Sequence, residues 1–226
     1  MNSDFNTTSV RAVVFDLDGL MFNTEELYVD VGTEVLRRRG KQMTPELLDA
    51  MMGRRPPQAI ARMIEWHNLA DTVEAIMAES REIFGPILDA RLQPMPGLMS
   101  LLDALDRAAI PKAVGTSSGF EFVTNVLSRF ELIPRFQFLL TAEAVKSGKP
   151  HPEIYLTAAE RFEIQPPQMV VLEDSENGCR AAVAAGAVAV AVPGTHSEHH
   201  CFDGAALMVS SLEDDRLWDL LGLHSK

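Results

Sequence analysis

A chain of 226 residues with 46% hydrophobic and 23% charged residues has the make-up of an ordinary globular protein. It is large enough to bury roughly 70–75% of its unfolded surface without staples. Its formal net charge of −12 excludes a phosphate-backbone partner, because nucleic-acid binders present a basic face. A small anionic ligand stays open, since that responds to local charge.

Residues 1–9 form a polar tail, and the opening MNSDFNTTSV has neither the basic start nor the apolar run of a secretory leader. Two cysteines, Cys179 and Cys201, make no disulfide framework. The longest apolar run, 181–192, is too short to cross a bilayer. Together these predict a cytoplasmic protein with no membrane partner.

The first strand is AVVFD (12–16), nearly continuous in apolar residues as a strand covered on both faces should be. It ends in Asp16, with Asp18 just beyond, and charged groups at the mouth of a core strand are costly unless something offsets them. Further strands are expected at 111–116, 137–141, 169–173 and 188–192, with helices at about 98–109, 119–131, 152–162, 176–185 and 212–221. Strands alternating with helices predict an α/β fold with a parallel, Rossmann-like sheet.

One interval breaks the rhythm. A strand–helix–strand unit takes about 30 residues, yet the second strand begins only near Pro111. The excess reads as helix: TEELYVDVGTEVLRRRG, then TPELLDAMMG with Thr44 as cap, then PPQAIARMIEWHNL, then a long helix from Asp71. Asp71 and Glu74 resemble a capping box. Trp66, Phe84 and the methionines at helical spacing read as core, and Glu79 and Arg81 as solvated helix surface. The expected division is a catalytic core of residues 10–22 and 93–226 and a helical cap of residues 23–92. An insertion at the carboxyl end of a sheet strand falls where open α/β sheets bind ligands, so it reads as a lid.

The chemistry-bearing residues gather at the same strand ends. Asp16 and Asp18 follow the first strand, Thr116, Ser117 and Ser118 the second, Lys149 precedes a helix in SGKPHPEIY, and Glu173 and Asp174 end the fourth. Four carboxylates with one lysine would raise their own pKa values unless a cation were present. Oxygen ligands in that number favour a hard ion, Mg²⁺ over Ca²⁺. Amides opening the helix after Thr116, with the Thr116 hydroxyl and Lys149, suit a phosphate.

DLDGL, GTSSG, SGKPHPEIY and VLEDSENG, in that order, resemble the four motifs of the haloacid dehalogenase-like superfamily, and the insertion after the first resembles its helical-cap branch of β-phosphoglucomutases and small phosphomonoester phosphatases. The resemblance implies Asp16 as nucleophile and Mg²⁺ ligand, passing through an aspartyl-phosphate. Asp18 would give its backbone carbonyl to the metal and its side chain to acid–base work. Thr116 and the Ser117 amide would hold the transferring phosphoryl group, and Lys149 would neutralise charge. Asp174 would complete the metal site, with Glu173 a ligand directly or through water. Arg54 and Arg55, in the cap loop, would contact substrate. The function this implies is Mg²⁺-dependent hydrolysis of a small phosphorylated metabolite, a sugar phosphate or nucleoside monophosphate, by a monomer. The alternative is a phosphosugar mutase. The mutases carry histidine where Tyr28 stands, which favours hydrolysis, and Asn23 departs from the aspartate common before Thr24.

Two other chemistries match parts of the pattern. GTSSG also fits the G-x-S-x-G nucleophile elbow, with Ser117 as an esterase nucleophile, but that leaves DLDG, Lys149 and Glu173 unexplained. A phospho-acceptor receiver domain would carry its aspartate on the third strand and no helical insertion. HSEHHC (196–201) fits no zinc spacing and reads as a solvated loop.

Overall fold

The computed structural model describes residues 10–51, 56–195 and 197–223. In chain order it runs through strand β1 (Ala12–Phe15) and helices α1 (Thr24–Arg38), α2 (Pro45–Met51), α3 (Pro56–His67) and α4 (Val73–Arg91). Then come α5 (Leu98–Arg107), β2 (Lys112–Gly115), α6 (Phe120–Ser128), β3 (Leu139–Leu140), α7 (Glu153–Arg161) and β4 (Met169–Glu173). The chain ends through α8 (Glu176–Ala184), β5 (Val188–Ala191), β6 (Leu207–Met208) and α9 (Asp215–Leu221). It divides into two compact units, Asn23–Gln93 and the remainder.

In the larger unit the strands form one sheet in the order β3-β2-β1-β4-β5-β6, every pair parallel. This is a Rossmann-like α/β fold. β1 is central: Val14 lies opposite Ala113 of β2 on one side and Val171 of β4 on the other. All of its residues are fully buried, which is why AVVF reads as a continuous apolar run. On one face Ala12, Val14, Met169, Val171 and Ala189 pack against Ile154, Tyr155 and Ala158 of α7 and Ala181 and Ala182 of α8. The small alanines let these helices lie close to the sheet. Because parallel strands share one direction, their carboxyl ends fall along a single edge, and the motif residues fall with them.

β6 was not expected from the sequence. It is a two-residue edge strand that pairs with β5 through Val190 and Ala191, too short to carry an alternating pattern. β3 is likewise shorter than its apolar stretch, two residues of the expected five. α9 starts later than expected because Asp214 caps it, accepting from the Arg216 amide at 3.0 Å.

Among the described residues, the regular structure of the smaller unit is all helix. Val31, Val35, Leu36, Leu47, Ile60, Met63, Ile76 and Ile83 form its core, from all four helices. Three expectations fail here, two of them because of Arg39. Arg39 donates to both oxygens of Asp71 at 2.9 and 2.7 Å and to Glu79 at 2.6 Å. With Asp71 so engaged, Thr72 caps α4 instead, accepting from the Ala75 amide at 3.2 Å. Glu79 is accordingly half-buried rather than solvated, while Arg81 is exposed as expected. Trp66 is 40% exposed, not core, and lies under the Arg62 guanidinium at 5.3 Å. Phe84 is partly buried against the core and stacks on Tyr28 at 4.9 Å.

Candidate active site

At the carboxyl end of β1 the Asp16 amide still pairs with the sheet, donating to Leu172 at 3.0 Å, so its carboxyl is held at the sheet edge. From there the chain turns sharply. Gly19 has φ +74, a conformation open to glycine, and Met21 and Phe22 amides return to the Leu17 carbonyl. DLDG is thus a strand end followed by a tight turn, which sets Asp16 and Asp18 at the same corner.

Lys149 is the centre of the polar cluster. Its ammonium donates to Asp16 Oδ1 at 2.5 Å, to Glu173 Oε1 at 2.6 Å and to the Gly115 carbonyl at 2.8 Å, so all three of its protons are placed. The Lys149 side chain is 6% exposed and Glu173 is wholly buried. Burial works against the ammonium, yet the charges of Asp16 and Glu173 outweigh it and hold the lysine well above its ordinary pKa. The Asp16 pKa rises too, for a different reason: burial, opposed by Lys149 and aided by the Glu173 and Asp18 charges, pushes its carboxyl up to about 8.

Glu173 is fixed from every side. The Tyr155 hydroxyl donates to Oε1 at 2.5 Å and the Ser175 hydroxyl to Oε2 at 3.0 Å. Ser175 also caps α8, accepting from the Gly178 amide at 3.1 Å. The carboxylate lies so close to α8 that a Cβ on Gly178 would come within 1.9–2.0 Å of it. Tyr155 packs its ring 5.1 Å from the Lys149 ammonium while its hydroxyl serves Glu173. Burial and the Glu173 charge keep that phenol protonated, its pKa pushed well up.

Asp16, Glu173 and Asp174, all buried, each present an oxygen within 4.8 Å of the others. Three buried carboxyl groups against one lysine would carry excess negative charge if all were ionised, which is what raises Asp16, and their donors are all hard oxygens. That set fits a small divalent cation of the Mg²⁺ kind.

Thr116, buried at the end of β2, donates its amide to Leu140 at 3.0 Å. Its Oγ1 accepts from the Ser118 amide at 3.1 Å. Ser117 is exposed, and Ser118 donates its hydroxyl to Asp18 Oδ2 at 2.5 Å. The helix that follows is already capped: the Phe120 amide donates to both oxygens of Glu143, at 3.1 and 3.2 Å. The expected phosphate cradle is therefore narrower than the whole helix opening. Among the described residues no histidine hydrogen-bonds Ser117, so the esterase arrangement is not built here.

The structure thus brings Asp16, Asp18, Thr116, Ser117, Lys149, Glu173 and Asp174 to one edge of the sheet. Arg54, Arg55 and His196 lie outside the described residues. His200 and Cys201 are tied to the start of α8 through Glu176, by hydrogen bonds of 3.4 and 3.3 Å, and take no part in the metal-ligand group. Sequence reasoning missed Tyr155, Gly178 and the Ser118–Asp18 contact. Tyr155 closes the SGKPHPEIY motif, but nothing in its spacing says which acid its hydroxyl meets.

Residues 13–192 match the family model of haloacid dehalogenase-like hydrolases. The chain belongs to that family. Among its relatives is a phosphorylated carbohydrates phosphatase of Thermotoga maritima, 32% identical over 177 residues, covering 78% of this chain and 82% of the relative. Another is a fructose-1-phosphate phosphatase of Escherichia coli K12, 34% identical over 183 residues, covering 80% and 95%. Among solved structures, CbbY of Rhodobacter sphaeroides in complex with phosphate superposes with a TM-score of 0.77 at 27% identity, covering 91% of this chain and 96% of that one.

Proposed function

We propose that this haloacid dehalogenase-like hydrolase is a Mg²⁺-dependent phosphatase that hydrolyses a small organic phosphomonoester, of the sugar phosphate or nucleoside monophosphate class, through an aspartyl-phosphate on Asp16. The observation that carries it is the buried Lys149 ammonium bridging Asp16 and Glu173 beside Asp174 and Thr116. Phosphoryl transfer is largely positioning plus charge stabilisation, and this cluster supplies both. The sugar-phosphate names of the relatives above support the substrate class.

Asp16, Asp174 and the Asp18 backbone carbonyl would hold the metal, with Glu173 beside them, and the ion would supply charge neutralisation for the phosphoryl oxygens. Asp16 attacks phosphorus as the bond to the leaving oxygen breaks, and Asp18 gives that oxygen its proton. In the second half Asp18 takes a proton from water as the water oxygen bonds to phosphorus and Asp16 is released. Thr116 and the Ser117 amide hold the transferring group. Lys149, fixed by Glu173 and Gly115, balances charge on Asp16 throughout. The helical unit joins the core on either side of Asn23–Gln93, and substrate selection is its proposed part. The mutase alternative has Tyr28 against it, an exposed phenol stacked on Phe84 where the mutases carry histidine.

The test is phosphate release from sugar phosphates, nucleoside monophosphates, pseudouridine monophosphate and phosphoglycolate, with Mg²⁺ and with EDTA. Release that needs Mg²⁺ and concentrates on one class is expected. Release unaffected by EDTA, or none from any ester, would refute the proposal.

A further inference from the structure

Ser118 touches the proposed acid–base residue without belonging to the set the motifs imply. Its hydroxyl donates to Asp18 Oδ2 at 2.5 Å, a contact across 100 residues of chain. The backbone that carries it is pinned on both sides. The Ser118 amide donates to Thr116 Oγ1 at 3.1 Å, and its carbonyl accepts from the Ala142 amide at 2.9 Å. Thr116 is in turn anchored to β3 through the Leu140 carbonyl. Asp18 stands on the tight turn after β1, one residue before Gly19 with its φ of +74. A hydroxyl fixed to the sheet edge selects one orientation of that carboxyl. Ser117, its exposed neighbour, has no such contact with an acid among the described residues.

We propose that Ser118 is a positioning residue for Asp18, holding the carboxyl where it meets the leaving oxygen and later the attacking water. The inference rests on the proposed role of Asp18. A displaced acid–base group loses rate steeply, since about 1 Å of misplacement can cost 10²-fold. The Thr116–Ser118 hydrogen bond also links the residue that would grip phosphate to the residue that would handle its protons, so the two are set in register by one short segment.

The test separates proton delivery from everything else by varying the leaving group. Nitrophenolate departs as an anion and needs no proton, whereas a sugar alkoxide does. With the full chain and Mg²⁺, kcat/KM is compared for p-nitrophenyl phosphate and for the best sugar phosphate of the panel, in wild type, Ser118→Ala, Ser118→Thr and Asp18→Asn. Ser118→Ala should lose about 10-fold on the sugar phosphate and stay within about 2-fold on the aryl ester, a fraction of the range general acids contribute. Ser118→Thr, which keeps the hydroxyl, should recover most of the loss, and Asp18→Asn should show the same asymmetry more strongly. Mg²⁺ affinity by calorimetry and the melting temperature should be unchanged in Ser118→Ala. Equal losses on both esters, or none on either, would overturn the positioning role. Asymmetry in Asp18→Asn without any in Ser118→Ala would remove Ser118 and leave the proposed function standing. A wild type that hydrolyses neither ester would sink both.

Discussion

Gly178→Ala is the sharpest probe of how the cluster is held. In an ordinary helix the change would stabilise by about 1 kcal/mol, since alanine is the better helix former. Here the new Cβ would sit 1.9–2.0 Å from all three carboxyl atoms of Glu173, well inside contact distance. Glu173 is fully buried and has no solvent to retreat into, so its carboxylate must leave its donors. Hydrogen bonds to a charged group are worth about 1.5–3 kcal/mol each, and three are at stake, from Lys149, Tyr155 and Ser175. Overpacking adds about 1–3 kcal/mol. Allowing for partial relaxation and the helix gain, the net loss should be about 3–5 kcal/mol. For a chain of this size that lowers the melting temperature by about 6–20 °C. Lys149, freed from one of its anchors, should also lose its grip on Asp16, with a fall in kcat of about 10². Thermal melts by circular dichroism and steady-state phosphate release measure the two effects. A variant that melts at or above the wild type with undiminished kcat would refute the reasoning, because Glu173 could then not be pressed against α8.

Three further outcomes are expected. Asp16→Asn should abolish turnover while the protein stays folded, and retained phosphate release would remove the aspartyl-phosphate route. In metal-free protein the folded Asp16 carboxyl keeps its proton up to about pH 8, whereas an unfolded one releases it near 3.8. The folded state therefore binds the extra proton across that window, and metal-free stability should fall as pH rises from about 4 to 8. Mg²⁺ should accordingly raise the melting temperature more at pH 8 than at pH 5.5, with proton release on binding. A shift that is equal at both values would argue against Asp16 as a ligand.

The order of strands and helices was legible because each carries its own periodicity. AVVF and MVVL are apolar throughout since both their faces are covered, and α1 repeats its apolar residues at helical spacing. The four motifs could be placed at strand ends for the same reason, and parallel connectivity brings those ends to one edge. The helical insertion was equally visible, as a run of helix where a single crossover should be. What local pattern could not decide was which partner each polar group would find. Asp71 reads as a cap until Arg39, from another helix, takes its carboxylate, and Glu79 reads as solvated until the same guanidinium draws it in. Trp66 has helical spacing and still faces outward. At the site, Asp16, Lys149 and Glu173 could be named from their motifs. That the lysine spends its three protons on those two acids and the Gly115 carbonyl, that Tyr155 holds Glu173, and that Gly178 makes room for it, depend on contacts between residues far apart in the chain. Periodicity records which face of an element is buried. Only the packed structure determines which hydrogen-bond donor meets which acceptor, because that choice is made between elements by distance and charge.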